Sequence, residues 1–191
     1  MVYYNSFSVY SLIVEKIYMK ISKKFEPILA GVFAAVIVGI LSYLSFETST
    51  GFWLMFSFGS TTLIVLVFYE SEFAQPVNIF FGHLLSIIIG ILFNKFVGMS
   101  FVSLGLSVGL ATTLMMYFKI IHPPAAANPL IAMFADVSLD YILFPVIVGS
   151  VSIILLSLIF NRIIFIDFDD LTVASDRLFP VRLALITTSN I

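Results

Sequence analysis

Cysteine is absent from all 191 positions, which excludes disulfides and thiolate metal sites and removes any redox clue to compartment. Charge is scarce as well. Asp, Glu, Lys and Arg make up 10% of the chain, against roughly 25% in a soluble domain. The net charge of −2 offers little to a phosphate backbone, so no nucleic-acid partner is expected. Histidine occurs only twice, with no acidic residue at ligand spacing, so no metal site is expected. Glu47, Glu70, Glu72, Asp136 and Asp140 all fall in predicted loops, which leaves no material for a carboxylate proton relay inside the apolar runs. Gly59-Ser60-Thr61-Thr62 lies within an apolar run and is no phosphate loop. No enzyme constellation remains, and no cofactor is implied.

What is present is apolar: 61% hydrophobic residues, 21 of them Phe. This composition belongs to an all-α, multi-pass integral membrane protein whose main partner is the lipid bilayer. A spanning helix needs about 17–25 apolar residues. The runs 28–46, 52–69, 77–97, 101–121 and 142–160 meet that need. Pro27 and Pro76 stand where a first-turn proline costs no hydrogen bond. The length allows one domain, with a cytoplasmic segment at 1–26, a membrane domain at 27–162 and a short tail at 163–191. Residues 1–26 show no signal-peptide pattern, and Met19 is an alternative start. Lys16, Lys20, Lys23 and Lys24 before the first span predict a cytoplasmic N-terminus in a plasma membrane.

Between the fourth and fifth runs the pattern breaks. Residues 120–130 read Ile-Ile-His122-Pro123-Pro124-Ala125-Ala-Ala-Asn128-Pro129-Leu. Pro123 and Pro124 cannot donate backbone hydrogen bonds and disrupt a helix. The apolar stretch 125–134 is too short to cross alone and predicts a half-helix after the break. If that half-helix completes a crossing there are six spans; if it re-enters there are five. Its free N–H groups, the Asn128 amide and a protonated His122 would suit an anion.

Polar and small residues recur at helical spacing. His83, Ser86, Gly90 and Asn94 share one face of the third span, and such a stripe needs internal partners or water. Gly31, Ala35, Gly39 and Ser42 share a face of the first span. Gly105 and Gly109 form a GxxxG in the fourth, with Thr112 or Thr113 a turn on. These small faces suit helix packing, or would leave room for a narrow pore. The blocks Thr61-Thr62…Gln75-Pro76 and Thr112-Thr113…Asn128-Pro129 suggest an internal repeat, as transporter folds often have.

His122-Pro123-Pro124-Ala125 resembles the signature of the HPP family. Ala74-Gln75-Pro76-Val77-Asn78 followed by Gly82-His83-Leu84 resembles a second block of that family, with Phe81 where a glycine is usual. Gly105-Leu-Ser-Val-Gly109-Leu-Ala resembles the helix before the signature, and Ala126 stands where many members have glycine. The resemblance covers roughly residues 27–162. It implies a small multi-span membrane protein that transports a small anion, with nitrite the leading named substrate.

The sequence therefore predicts a transporter or channel for a small inorganic anion. The expected pathway residues are His122, Pro123, Pro124, Ala125, Asn128, His83, Asn78, Thr112 and Thr113. A homo-oligomer is expected from the GxxxG faces. The rival readings are a carrier of another small solute and a structural or regulatory membrane subunit.

Overall fold

The computed structural model describes the backbone of residues 6–47 and 53–164, and the side chains of 25–47 and 53–161. Most of the expected tail, and the side chains of the N-terminal lysines, lie outside the described residues. The described residues form six α-helices: α1 (Ser6–Glu47), α2 (Ser57–Val67), α3 (Pro76–Phe96), α4 (Phe101–Tyr117), α5 (Asn128–Phe134) and α6 (Val148–Ile164). Three helical segments among the described residues, Phe25–Glu47, Pro76–Phe96 and Ile142–Asn161, are long and apolar enough to cross a bilayer. The shorter α2 and α4 are predominantly apolar. The fold is an all-α membrane helix bundle.

Several boundaries differ from the sequence reading. Pro27 lies inside α1, not at its start; a membrane helix tolerates the lost hydrogen bond when its neighbours supply cohesion. The second helix begins at Ser57, five residues later than expected, because Ser45 captures the chain before it. Trp53 and Leu54 donate their backbone N–H groups to Ser45 Oγ at 2.8 and 3.2 Å, and that hydroxyl donates to Leu41 O at 2.8 Å. The fifth run is not one continuous helix. Phe144 has extended backbone (φ −124°, ψ 118°) before Pro145, within the π-type turn Ile142–Ile147, and α6 starts beyond it.

Contacts along the helices order the chain from end to end. Call the end holding the short 3₁₀ turn Glu72–Ala74 proximal, and the end holding Trp53 distal. Phe33 of α1 meets Phe160 of α6 with ring centroids 4.7 Å apart, and Asn161 donates to Val65 O at 3.4 Å; both contacts are proximal. Gly149 lies against the Phe58 ring near the Trp53 carbonyl, a distal contact. The segment after α4 then runs alongside α3. It lies beside Gly82 at Ile120 and His122, beside Gly90 at Pro129 and Ala132, and beside Asn94 at Asp136. Gly82 to Asn94 spans about 18 Å at 1.5 Å per residue. The seven-residue α5 alone is too short to cross, yet with the 3₁₀ turn Pro123–Ala127 before it it carries the chain from the proximal end to the distal one. The described chain thus makes six passes, and α1 and α6 have their outer ends on the same, proximal side.

Lipid offers helices no hydrophobic reason to associate, so cohesion comes from close packing and hydrogen bonds. A Cβ on Gly90 would stand 2.6 Å from Pro129 Cα and 2.7 Å from Ala132 Cβ, and one on Gly82 would stand 2.9 Å from His122 Cβ. Those two glycines let the broken segment lie directly on α3. By contrast, Gly31, Gly39, Gly105 and Gly109 have nothing within 4 Å. At these glycines, the small faces read from the sequence pack against nothing among the described residues. On α4 the buried face is Ser103, Ser107, Ala111 and Met115 instead.

Candidate functional site at the helix break

α4 ends in a turn with Lys119 in left-handed backbone (φ 57°). Ile120 N–H donates to Met115 O at 2.9 Å and Lys119 N–H to Met116 O at 3.2 Å, closing a Schellman motif. The chain then turns inward as extended backbone at His122 and enters the Pro123–Ala127 turn. Two prolines without N–H groups open that turn, which fixes His122 at the point where the chain meets α3.

His122 is fully buried, as are His83, Ser86, Thr61 and Asn128. These side chains form a closed polar centre between α2, α3 and the break. Thr61 Oγ1 stands 2.9 Å from Nε2 of both rings. His122 Nδ1 is 2.7 Å from Phe73 O. Asn128 Nδ2 is 2.9 Å from His83 Nδ1, 3.2 Å from His83 O and 2.9 Å from Ser86 Oγ. Ser57 Oγ donates to Asn128 Oδ1 at 2.8 Å. The Phe58 ring meets His83 edge-on at 5.2 Å, and the two imidazoles are 4.9 Å apart.

The partners fix the proton positions. A carbonyl only accepts, so His122 carries its hydrogen on Nδ1, toward Phe73 O. The His83 carbonyl likewise requires the Asn128 NH₂ to face it, so His83 Nδ1 accepts and His83 Nε2 carries the hydrogen. The neutral centre therefore runs in one direction. Asn128 donates to His83, His83 to Thr61, Thr61 to His122, and His122 to the Phe73 carbonyl. Each polar atom of the two rings and the amide has a partner. Burying these groups in an apolar medium is tolerable only because they are paired.

Of the residues predicted from sequence, His122, His83 and Asn128 come together here, with Pro123, Pro124 and Ala125 forming the turn that holds them. Asn78, Thr112 and Thr113 are placed elsewhere. Asn78 donates to Glu72 O at 2.8 Å and braces the proximal turn. Thr112 and Thr113 are exposed on α4, where Thr113 donates to Gly109 O. Asn94, on the same α3 stripe, donates to Asp136 at 2.6 Å instead of joining the centre. Two of the backbone amides around the break are already paired within it. Ala125 N–H donates to His122 O, and Asn128 N–H to Ala125 O. Thr61 and Ser57 were not anticipated, although a Ser and a Thr four residues apart within an apolar run signalled a polar helix face. The repeat recurs as order, helix then 3₁₀ turn then proline-led helix in both blocks, but not as environment: Thr61 and Thr62 are buried and Thr112 and Thr113 are not. Among the described residues no group of three metal-ligating side chains occurs.

The profile of the HPP transmembrane region matches residues 19–166. A transmembrane protein of Dictyostelium discoideum is 30% identical over 136 residues, covering 66% of this chain and 43% of its own. A second from the same organism is 28% identical over 114 residues, covering 56% of this chain and 40% of its own. The chain thus spans under half the length of these relatives, which are named only as transmembrane proteins. No solved structure matches the chain.

Proposed function

We propose that this chain, which belongs to the HPP family by the match over residues 19–166, is a transporter that moves a small inorganic anion, nitrite being the first substrate to test. The observation that carries this reading is the buried centre His83–Thr61–His122–Asn128 at a break in the helical path. Polar and ionisable groups at membrane depth mark substrate and ion pathways, and broken helices occur where they line such a path. The centre is built of donors that can turn toward an anion: the Asn128 amide, the His83 N–H, and the Ser57, Thr61 and Ser86 hydroxyls. The buried polar residues among those described include no carboxylate to attract a cation. The network is closed as it stands, so an anion would enter by exchanging its own contacts for these internal bonds.

Lys16, Lys20, Lys23 and Lys24 in the N-terminal half of α1, with Lys119 at the proximal end, support a cytoplasmic proximal face. No catalytic role is assigned. The test is flux into liposomes holding the purified protein, with nitrite, nitrate, formate and chloride in turn. Nitrite should equilibrate well above the rate of protein-free vesicles. His122→Ala should slow it at least tenfold while the protein stays monodisperse in detergent. No flux of any of the four anions overturns the reading, and an unchanged rate in His122→Ala removes the centre from the path.

A further inference from the structure

Thr61 has a third partner. Its hydroxyl also lies 3.1 Å from Ser57 O, so its single hydrogen has two places to go. With both rings neutral, it points at His122 Nε2. With a proton on His122 Nε2, that nitrogen donates to Thr61 Oγ1 and the Thr61 hydrogen turns to Ser57 O. Both arrangements leave every group paired. The same exchange is closed to His83, whose Nδ1 faces the Asn128 NH₂. Asn128 in turn is held in that orientation by His83 O and by the Ser57 hydroxyl on its other end.

From this geometry we infer that the centre takes up one proton, on His122, by rotation of the Thr61 hydroxyl, and that the anion moves with it as electroneutral one-to-one cotransport. The coupling rests on the transport reading above; the proton site does not. In the loading step an N–H bond forms at His122 Nε2, using a proton from solvent. The Thr61 hydrogen bond to that nitrogen breaks, and its replacement to Ser57 O forms. The centre gains one positive charge, which one monovalent anion neutralises. Release reverses each bond.

The surroundings suit this. Charged groups close in sequence to the segments that hold His122 are Glu72 on the proximal turn and Glu70 just before it, ahead of the Phe73 carbonyl it binds, and Lys119 three residues before it. Helices α2 and α5 and the Pro123–Ala127 turn hold no charged residue, α6 carries Arg162 near its proximal end, and Lys95 and Asp136 lie at the distal end. Phe73 itself is 40% exposed, so the carbonyl that His122 Nδ1 binds lies close to the proximal surface.

The chain has only two histidines, so ring ¹⁵N spectra of a tag without histidine resolve both. As the pH is lowered from about 8 until the titration is complete, one ring should pass from the Nδ1–H form to the doubly protonated form. The other should remain in the Nε2–H form throughout. His122→Gln should remove the titrating signal and leave the other. Titration of both rings, or of neither, overturns the proton site. In liposomes, a gradient of one pH unit should sustain about tenfold anion accumulation for one proton, against about a hundredfold for two. Collapsing the membrane potential should leave that ratio unchanged. Anion flux indifferent to the proton gradient overturns the coupling alone. Absence of any flux overturns the transport reading together with the coupling, and the ring spectra still decide the proton site.

Discussion

Thr61 is the residue on which the polar centre turns, since it joins both imidazoles through one oxygen. Thr61→Val keeps the shape but deletes that oxygen. His83 Nε2–H and His122 Nε2 would then be buried without partners, at about 1–3 kcal/mol each. The expected outcome is a melting temperature in detergent several degrees lower, while Thr61→Ser, which keeps the hydroxyl, stays close to the parent. Equal melting of all three proteins would show that Thr61 does not bridge the rings. The roles of His122, His83 and Asn128 as neighbours were legible because each interrupts an apolar run with a group that must find a partner. Thr61 was harder to read. A threonine can satisfy its own hydroxyl against the carbonyl four residues back, as Thr113 does with Gly109 and as Ser57 O, 3.1 Å away, also offers Thr61. Its presence in a span therefore does not say whether it faces protein or lipid.

At the scale of elements, the segment 120–136 depends on how closely it can approach α3. Gly90→Ala would drive a methyl group into Pro129 and Ala132, backbone and a short side chain that cannot swing aside. Overpacking of this kind costs about 1–3 kcal/mol. Thermal unfolding should show that loss, whereas Gly39→Ala, which meets open space, should leave stability nearly unchanged. A Gly90→Ala protein as stable as the parent would mean that the segment is not seated where described. Element type and order were readable from run length and proline placement. Pro76 opens α3 as expected, and Ser100 closes a capping box with Ser103 at the start of α4. The rotation of each helix was not readable. Helix α4 carries two small-residue faces, and only packing decides that Ser103, Ser107 and Ala111 turn inward and Gly105 and Gly109 outward. The break at Phe144-Pro145 was hidden because apolar composition continues straight through it.

The described residues leave two small-residue faces uncovered, Gly31 with Ala35 and Gly39 on α1, and Gly105 with Gly109 on α4. Faces of this type allow helices of separate chains to approach closely. If the homo-oligomer expected from the sequence forms through α4, Gly105→Leu should shift the detergent-solubilised protein to a smaller species in light scattering without lowering its melting temperature. An unchanged mass would exclude that face. One further consequence follows from the distal corner, where Ser45 holds the backbone of Trp53 and its ring rests against Phe144 at 4.9 Å. Trp53 is the sole indole in the chain, so the protein's intrinsic fluorescence comes from a single known place, across the bundle from His122. Its emission is a built-in optical gauge of whether events at the polar centre are felt at the opposite end of the bundle.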